Sequence, residues 1–170
     1  FELSKTIARG ELDYYLSFPK NVLWHTSVSK TDISAIGDLL FGIMIFFFSG
    51  DISLEKIGLF AVIGILTALI FLNFIIITQS ITFFVGNFEE AAEQMFHALL
   101  GFTLYPQTAF YGALKIVMLT IIPAFFIATL PVQLVQDFNF KFFLILVGFW
   151  ILTTIIAKII FKRGLRRYES

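Results

Sequence analysis

Phe142–Phe161 is twenty residues long and carries one charge, Lys158. As a helix it covers about 30 Å, the hydrocarbon thickness of a bilayer. Fourteen of the twenty are Leu, Ile, Val or Phe. Inserting them gains at most about 6 kcal/mol, against at most about 3 kcal/mol for Lys158. Lys158 lies one turn from the end, so its stem can snorkel and lower that cost. The composition then flips to Lys162-Arg163-Gly164-Leu165-Arg166-Arg167. An apolar span closed by a basic cluster is a membrane stop with a direction, basic end towards the cytoplasm. The competing reading is the core helix of a soluble protein. It would need burial all round in a chain of 170 residues where other apolar runs want the same interior.

Composition argues the same way. Hydrophobic residues make up 58% and charged residues 14%, against about 45–50% and 25% in soluble domains. Without cysteine there is no disulfide, thiolate metal site or thiol nucleophile. No cleavable secretory signal opens the chain. Its opening Phe1, rather than Met, is what a piece of a longer protein would show.

Residues 1–32 are the most polar part and read as a cytoplasmic segment. Leu12, Tyr15 and Leu16 repeat at helical spacing, predicting a short amphipathic helix over 9–18 that Pro19 stops. The first span, 33–52, is the weakest, with Asp38 near its boundary. The second, 57–85, includes 29 uncharged residues, more than a bilayer needs. Asn73 and Ser80 are seven apart on one face, with Gln79 beside them. Two readings stand for this face: hydrogen bonding between helices, or the lining of a substrate path. Asn87 with Glu90 has the spacing of a capping box. It opens 88–104, an amphipathic helix or short span with Phe88, Ala92, Met95 and Leu99 as its apolar stripe. Pro123 and Pro131 interrupt the third span, 112–134, as a kink or broken hairpin. The last span is 142–161. The class is therefore all-α, a polytopic membrane helix bundle of about four spans in a single transmembrane domain. Four spans put both termini on one side. That side holds Lys5, Arg9, Lys20, Lys30, Lys115 and the five basic residues from Lys158 onward, and the other holds Lys56 and Lys141. Ten against two makes it the cytoplasmic side.

Little in the chain suggests catalysis. His25 and His97 lie on different elements, so no metal site is expected. Glu89, Glu90 and His97 resemble the acidic and histidine groups of intramembrane CAAX-type proteases. Gln94 stands where those enzymes have Arg, and no second intramembrane His is present. The chain has no P-loop. The basic tail is explained by topology, so no nucleic-acid partner is expected.

Three stretches are similar to one family. Arg9-Gly10-Glu11-Leu12-Asp13-Tyr14-Tyr15-Leu16-x-x-Pro19 resembles the cytoplasmic segment before the third span of ABC-2 type permeases, in a branch long filed as a domain of unknown function. Ile36-Gly37-Asp38-Leu39-Leu40-Phe41-Gly42 resembles the next helix. Gly164-Leu165-Arg166-Arg167-Tyr168-Glu169-Ser170 resembles the C-terminal signature and is the most specific of the three. The resemblance covers nearly the whole chain, with two family spans expected upstream. It implies the membrane half of an ATP-driven exporter in the cell membrane, with a permease dimer in the bilayer. The chain itself would bind no cofactor, because ATP and Mg are held by a separate cytoplasmic ATP-binding subunit. Glu11, Asp13, Tyr14, Tyr15, Leu16 and Pro19 would form the element that docks on that subunit. An interfacial anchor is the plainer role for Tyr14 and Tyr15. The wider fold also implies an alternative in which 88–105 cross and 112–134 dip in and return at Pro123. A membrane protein that does not export (secondary carrier, channel subunit or scaffold) is the competing class.

Overall fold

The structure, a computed structural model, describes residues 3–19, 21–29, 34–50, 52–86, 88–104, 112 and 123–168. These residues form a helical membrane bundle, with no strand among them. In chain order the helices are α1 (Leu3–Ala8), α2 (Leu12–Leu16), α3 (Val22–Ser29), α4 (Ser34–Phe48) and α5 (Leu54–Ser80). After α5 come a 3-10 turn (Ile81–Phe83) and α6 (Glu89–Thr103). A π-helical turn (Phe125–Thr129) runs into α7 (Leu130–Gln136), and α8 (Phe140–Tyr168) is last.

Two helices can cross a bilayer. At 27 and 29 residues, α5 and α8 reach about 40 Å or more. Only 17% of the most apolar stretch of α8 is buried, which a soluble core helix would not tolerate. The starts of both helices are capped. The Ser53 hydroxyl accepts from the Lys56 N–H at 3.2 Å, and Asn139 Oδ1 accepts from the Lys141 N–H at 3.0 Å. Glu55 adds a favourable charge to the first turn of α5. α8 continues through the basic cluster to Tyr168. Lys and Arg are good helix formers, and cations suit a helix C-terminus.

The contacts of α5 and α8 climb in step. Ile63 and Ile70 share a cluster with Leu146, Asn73 meets Thr153, and Phe83 meets Phe161. The two helices therefore run parallel, and the chain between them must return along the bundle. The return is made in pieces. Leu99 of α6 packs at the level of Phe74, and Phe96 packs edge-on against Phe71. Ala124 starts again at the same level. Leu130 and Leu134 then rise to Ile63 and Leu146. The π-helical turn lies between Pro123 and Pro131. A proline inside a helix removes one hydrogen bond and crowds a carbonyl, and the wider turn absorbs both effects.

The N-terminal segment differs from the expected single helix over 9–18. Only α2, Leu12–Leu16, falls within that range, and Gly10, with φ +71°, separates it from α1. Leu3, Ile7 and Leu12 are buried against Ile76, Phe83, Ala157 and Phe161. By contrast α4 is about 22 Å long and almost wholly exposed, from Ile36 to Phe48. Its apolar surface suits hydrocarbon. Asn87 and most of 105–122, including Tyr105-Pro106, lie outside the described residues. Phe88 caps α6 without a side-chain bond. Of its expected stripe, Ala92 and Leu99 are fully buried.

Gly164 shows how closely α8 lies on the 3-10 turn. A Cβ there would stand 2.6 Å from Cγ and 2.8 Å from Cβ of Phe83, and that stem cannot swing away. Gly164→Ala is expected to cost about 1–3 kcal/mol by overpacking, read as a lower unfolding midpoint in detergent. In a Phe83→Ala background, where Cγ and the ring are gone, the added cost of Gly164→Ala should be smaller.

Candidate functional site

Two regions carry polar chemistry: the seam between α5 and α8, and the basic end where both helices finish. The seam is built on Asn73, which is buried. Its amide donates to Thr153 Oγ1 at 3.2 Å and Thr154 Oγ1 at 2.9 Å. Those hydroxyls in turn donate to the carbonyls of Phe149 and Trp150. An amide left bare in hydrocarbon costs several kcal/mol. Two neighbouring threonines on the facing helix remove that cost. The Thr153-Thr154 pair is a signal the sequence reading passed over, hydroxyls side by side in an otherwise apolar run.

At the basic end, Gln79 Oε1 accepts from the backbone N–H of Ser4 at 3.1 Å, tying α1 to α5. Ser80 is fully buried, and among the described residues its hydroxyl has no partner. The same holds for Thr82. Thr82 opens on a pocket of about 340 Å³ that Ile7, Phe83, Arg167 and Tyr168 also line. The structure thus places Asn73, Gln79 and Ser80 on one buried length of α5, but gives the first two to neighbouring helices.

The candidate docking residues lie on and beside α2 at the same end. Leu12 faces the core. Glu11, Asp13 and Pro19 are exposed, Tyr14 is 64% exposed, and Tyr15 and Leu16 are half-buried. α2 stops at Leu16, before Pro19. Tyr14 meets Phe18 edge-on at 5.1 Å, and Tyr15 meets His25 at 5.2 Å. Trp24 on α3 is 68% exposed. The sequence reading singled out neither Phe18 nor Trp24 as a docking residue. Their signal was a run of aromatics continuing past Pro19.

Burial first, then the charge of Asp13 and hydrogen bonding to it, raise the Tyr168 phenol above its usual 10.0. The phenol is therefore neutral at neutral pH. Its contribution to stability is complete below pH 10.0 and is lost as pH rises through the raised value.

A third feature is an apolar cleft of about 720 Å³ between α4, α5 and α7. Gly42, Gly64 and Ala68 leave the space, and Lys56 stands on its lining. It can take an apolar chain. Among the described residues no three His, Cys, Asp or Glu side chains gather as metal ligands. The Glu93–His97 pair on α6 is exposed, at 4.0 Å.

The comparisons bear on all three regions together. A family model described as ABC-2 family transporter protein matches residues 1–170. No curated protein matches, and no solved structure does.

The seam makes a measurable claim. Asn73→Leu should cost about 1 kcal/mol, as interhelical hydrogen bonds in membranes do. The same change in a Thr153→Val/Thr154→Val background should cost clearly less. A double-mutant cycle on unfolding in mixed micelles measures the difference.

Proposed function

The chain belongs to the ABC-2 family of transporter proteins, and we propose that it is the permease half of an ATP-driven exporter, working through the docked N-terminal segment. As a family member it is a membrane permease component of an ABC transporter. Such proteins typically partner with an ATP-binding subunit. On this reading a separate cytoplasmic subunit binds ATP and Mg, and two permease copies alternate between inward- and outward-facing states. Substrate leaves across the cell membrane. Both ends of the present segment are cytoplasmic, which the ten-to-two basic asymmetry supports. α6 is the returning span and 123–136 the outgoing limb of a re-entrant hairpin. The shared level of Leu99 and Ala124 beside Phe74 supports this.

The observation that carries the proposal is the exposed aromatic group on α2, held against the ends of both long helices. Tyr14, Tyr15, Leu16 and Phe18, with Glu11 beside them, form a compact anchor. Buried aromatics dominate interface energies and charges set register. Within the bundle, Asn73 and Gln79 act as glue, and Ser80 keeps an uncommitted hydroxyl for the substrate path.

Replacing Tyr14, Tyr15 and Leu16 together with Ala should leave the full-length protein inserted and folded. Co-purification of the ATP-binding subunit should fall at least about thirtyfold, the loss of one hot spot. Wild-type yield from the triple variant would remove the segment from that role. Orientation is read separately with cysteines at Lys5, Asp51 and Arg166. Only the one at Asp51 should label from outside intact cells.

A further inference from the structure

The cleft between α4, α5 and α7 has two unlike ends. Its lining follows α5 from Lys56 to Phe71, about 22 Å of helix. The polar groups lie where α5 begins. Ser49 follows α4, Lys56 is in the first turn of α5, and Gln136 closes α7 just before α8 starts. One turn in from Ser49 and Lys56, the stacked rings of Phe46 and Phe60 begin the apolar part. Deeper in, the one hydroxyl on the lining is that of Thr67, which donates to the Ile63 carbonyl at 2.8 Å. Lys56 is the only charge on the lining among the described residues, and neighbouring Glu55 is not part of it. The uncharged run of α5 starts at the next residue, Ile57. Lys56 therefore stands at headgroup depth and the rest of the cleft in hydrocarbon.

We propose that this cleft is a binding site for an anionic phospholipid of the bilayer, with one acyl chain in the apolar part and the phosphate on Lys56. Water does not suit a space of about 720 Å³ with such walls. A buried water needs several polar partners, and Thr67 has already given its proton to its own helix. Hydrocarbon instead supplies the dispersion contacts that the walls lack. The leaflet on the Lys56 side offers about 15 Å of chain depth, half the hydrocarbon core, so a chain fits within the cleft's length. The charge selects the head. Lys56 is a cation, and the lining has no carboxylate to receive a choline or ethanolamine. Lys56 has a further interaction within the chain. With three donors, its ammonium can serve that contact and a phosphate oxygen together. Hydrocarbon slides without breaking a directional bond, so a held chain does not lock α4 in place. The site is independent of the docking role given to α2.

The test uses the full-length permease in phosphatidylcholine nanodiscs. They carry a trace of phosphatidylglycerol with a photoreactive diazirine on its acyl chain. After irradiation, peptide mapping should find the label concentrated at Phe60 and Ala68 on the lining, well above Leu152 and Ile155, which are exposed on α8. Unlabelled phosphatidylglycerol should displace the cleft label about five times better than phosphatidylcholine does, the scale of one lysine at an anionic surface. Lys56→Gln should erase that preference and leave the label in the cleft. Gly64→Leu should empty the cleft of label. A Cβ at Gly64 meets nothing within 4 Å, so the new side chain grows into the space. Leu also favours helix over Gly, so the unfolding midpoint should not fall. Equal label on the cleft and on α8, or a cleft label that Gly64→Leu leaves unchanged, would overturn the site. Equal displacement by the two lipids in the wild type would overturn the anionic head. A wild-type cleft without label means that a protein surface, from this chain or a second copy, covers it, and that result also ends the proposal.

Discussion

The rest of the structure depends on the close parallel packing of α5 on α8. Each is long and apolar enough to cross a bilayer. In lipid the hydrophobic effect gives helices no reason to associate, so association needs close packing and interhelical hydrogen bonds. This pair has both. Asn73 donates to Thr153 and Thr154 near the middle, and Gly164 admits Phe83 at the end. Apolar clusters on either side fill the remainder. Because the pair is parallel, the intervening chain has to come back. That requirement explains why α6 and α7 both lie along α5 yet are short.

Much of this was legible because bilayer physics leaves few choices. Runs of 20 and 29 residues with at most one charge between charged turns specify long helices, and α8 and α5 fall on them. Asn73 announced that it needed a partner, since hydrocarbon offers none. Which partner could not be read, because Thr153 is 80 residues away and only the register of two helices brings it near. Pro123 and Pro131 foretold an irregularity but not its π-helical form, within which Phe126 stacks on Phe149 at 3.7 Å.

The candidate site was less legible, for a reason that lies in α1 and α2. A short polar segment has weak periodicity, and its helices are marginal alone. Leu3, Ile7 and Leu12 are spaced for burial only once Gly10 turns the chain, and only α5 and α8 supply the surface that buries them. Asp13 is an exposed charge on α2, and its effect reaches the Tyr168 phenol, 155 positions later by the numbering. The aromatics Phe18 and Trp24 are left facing outward where the sequence reading had stopped at Pro19.

These contacts divide the molecule into a stiff part and a loose part. Separating α5 from α8 would strip Asn73 of both threonines where no water can replace them, so the two helices move as one body. Through Gln79 and the Leu3, Ile7, Leu12 cluster, α1 and α2 belong to that body. Among the described residues nothing comparable holds α4. Its described contacts with α5 include the stacked rings of Phe46 and Phe60, 4.3 Å apart, beside a cleft of about 720 Å³. Packing that ends in a cleft has room to close, and apolar faces slide at little cost because no directional bond is broken. On the proposed exporter reading, the change between inward- and outward-facing forms falls on the α4 side of α5, with the seam that Asn73 closes as its frame.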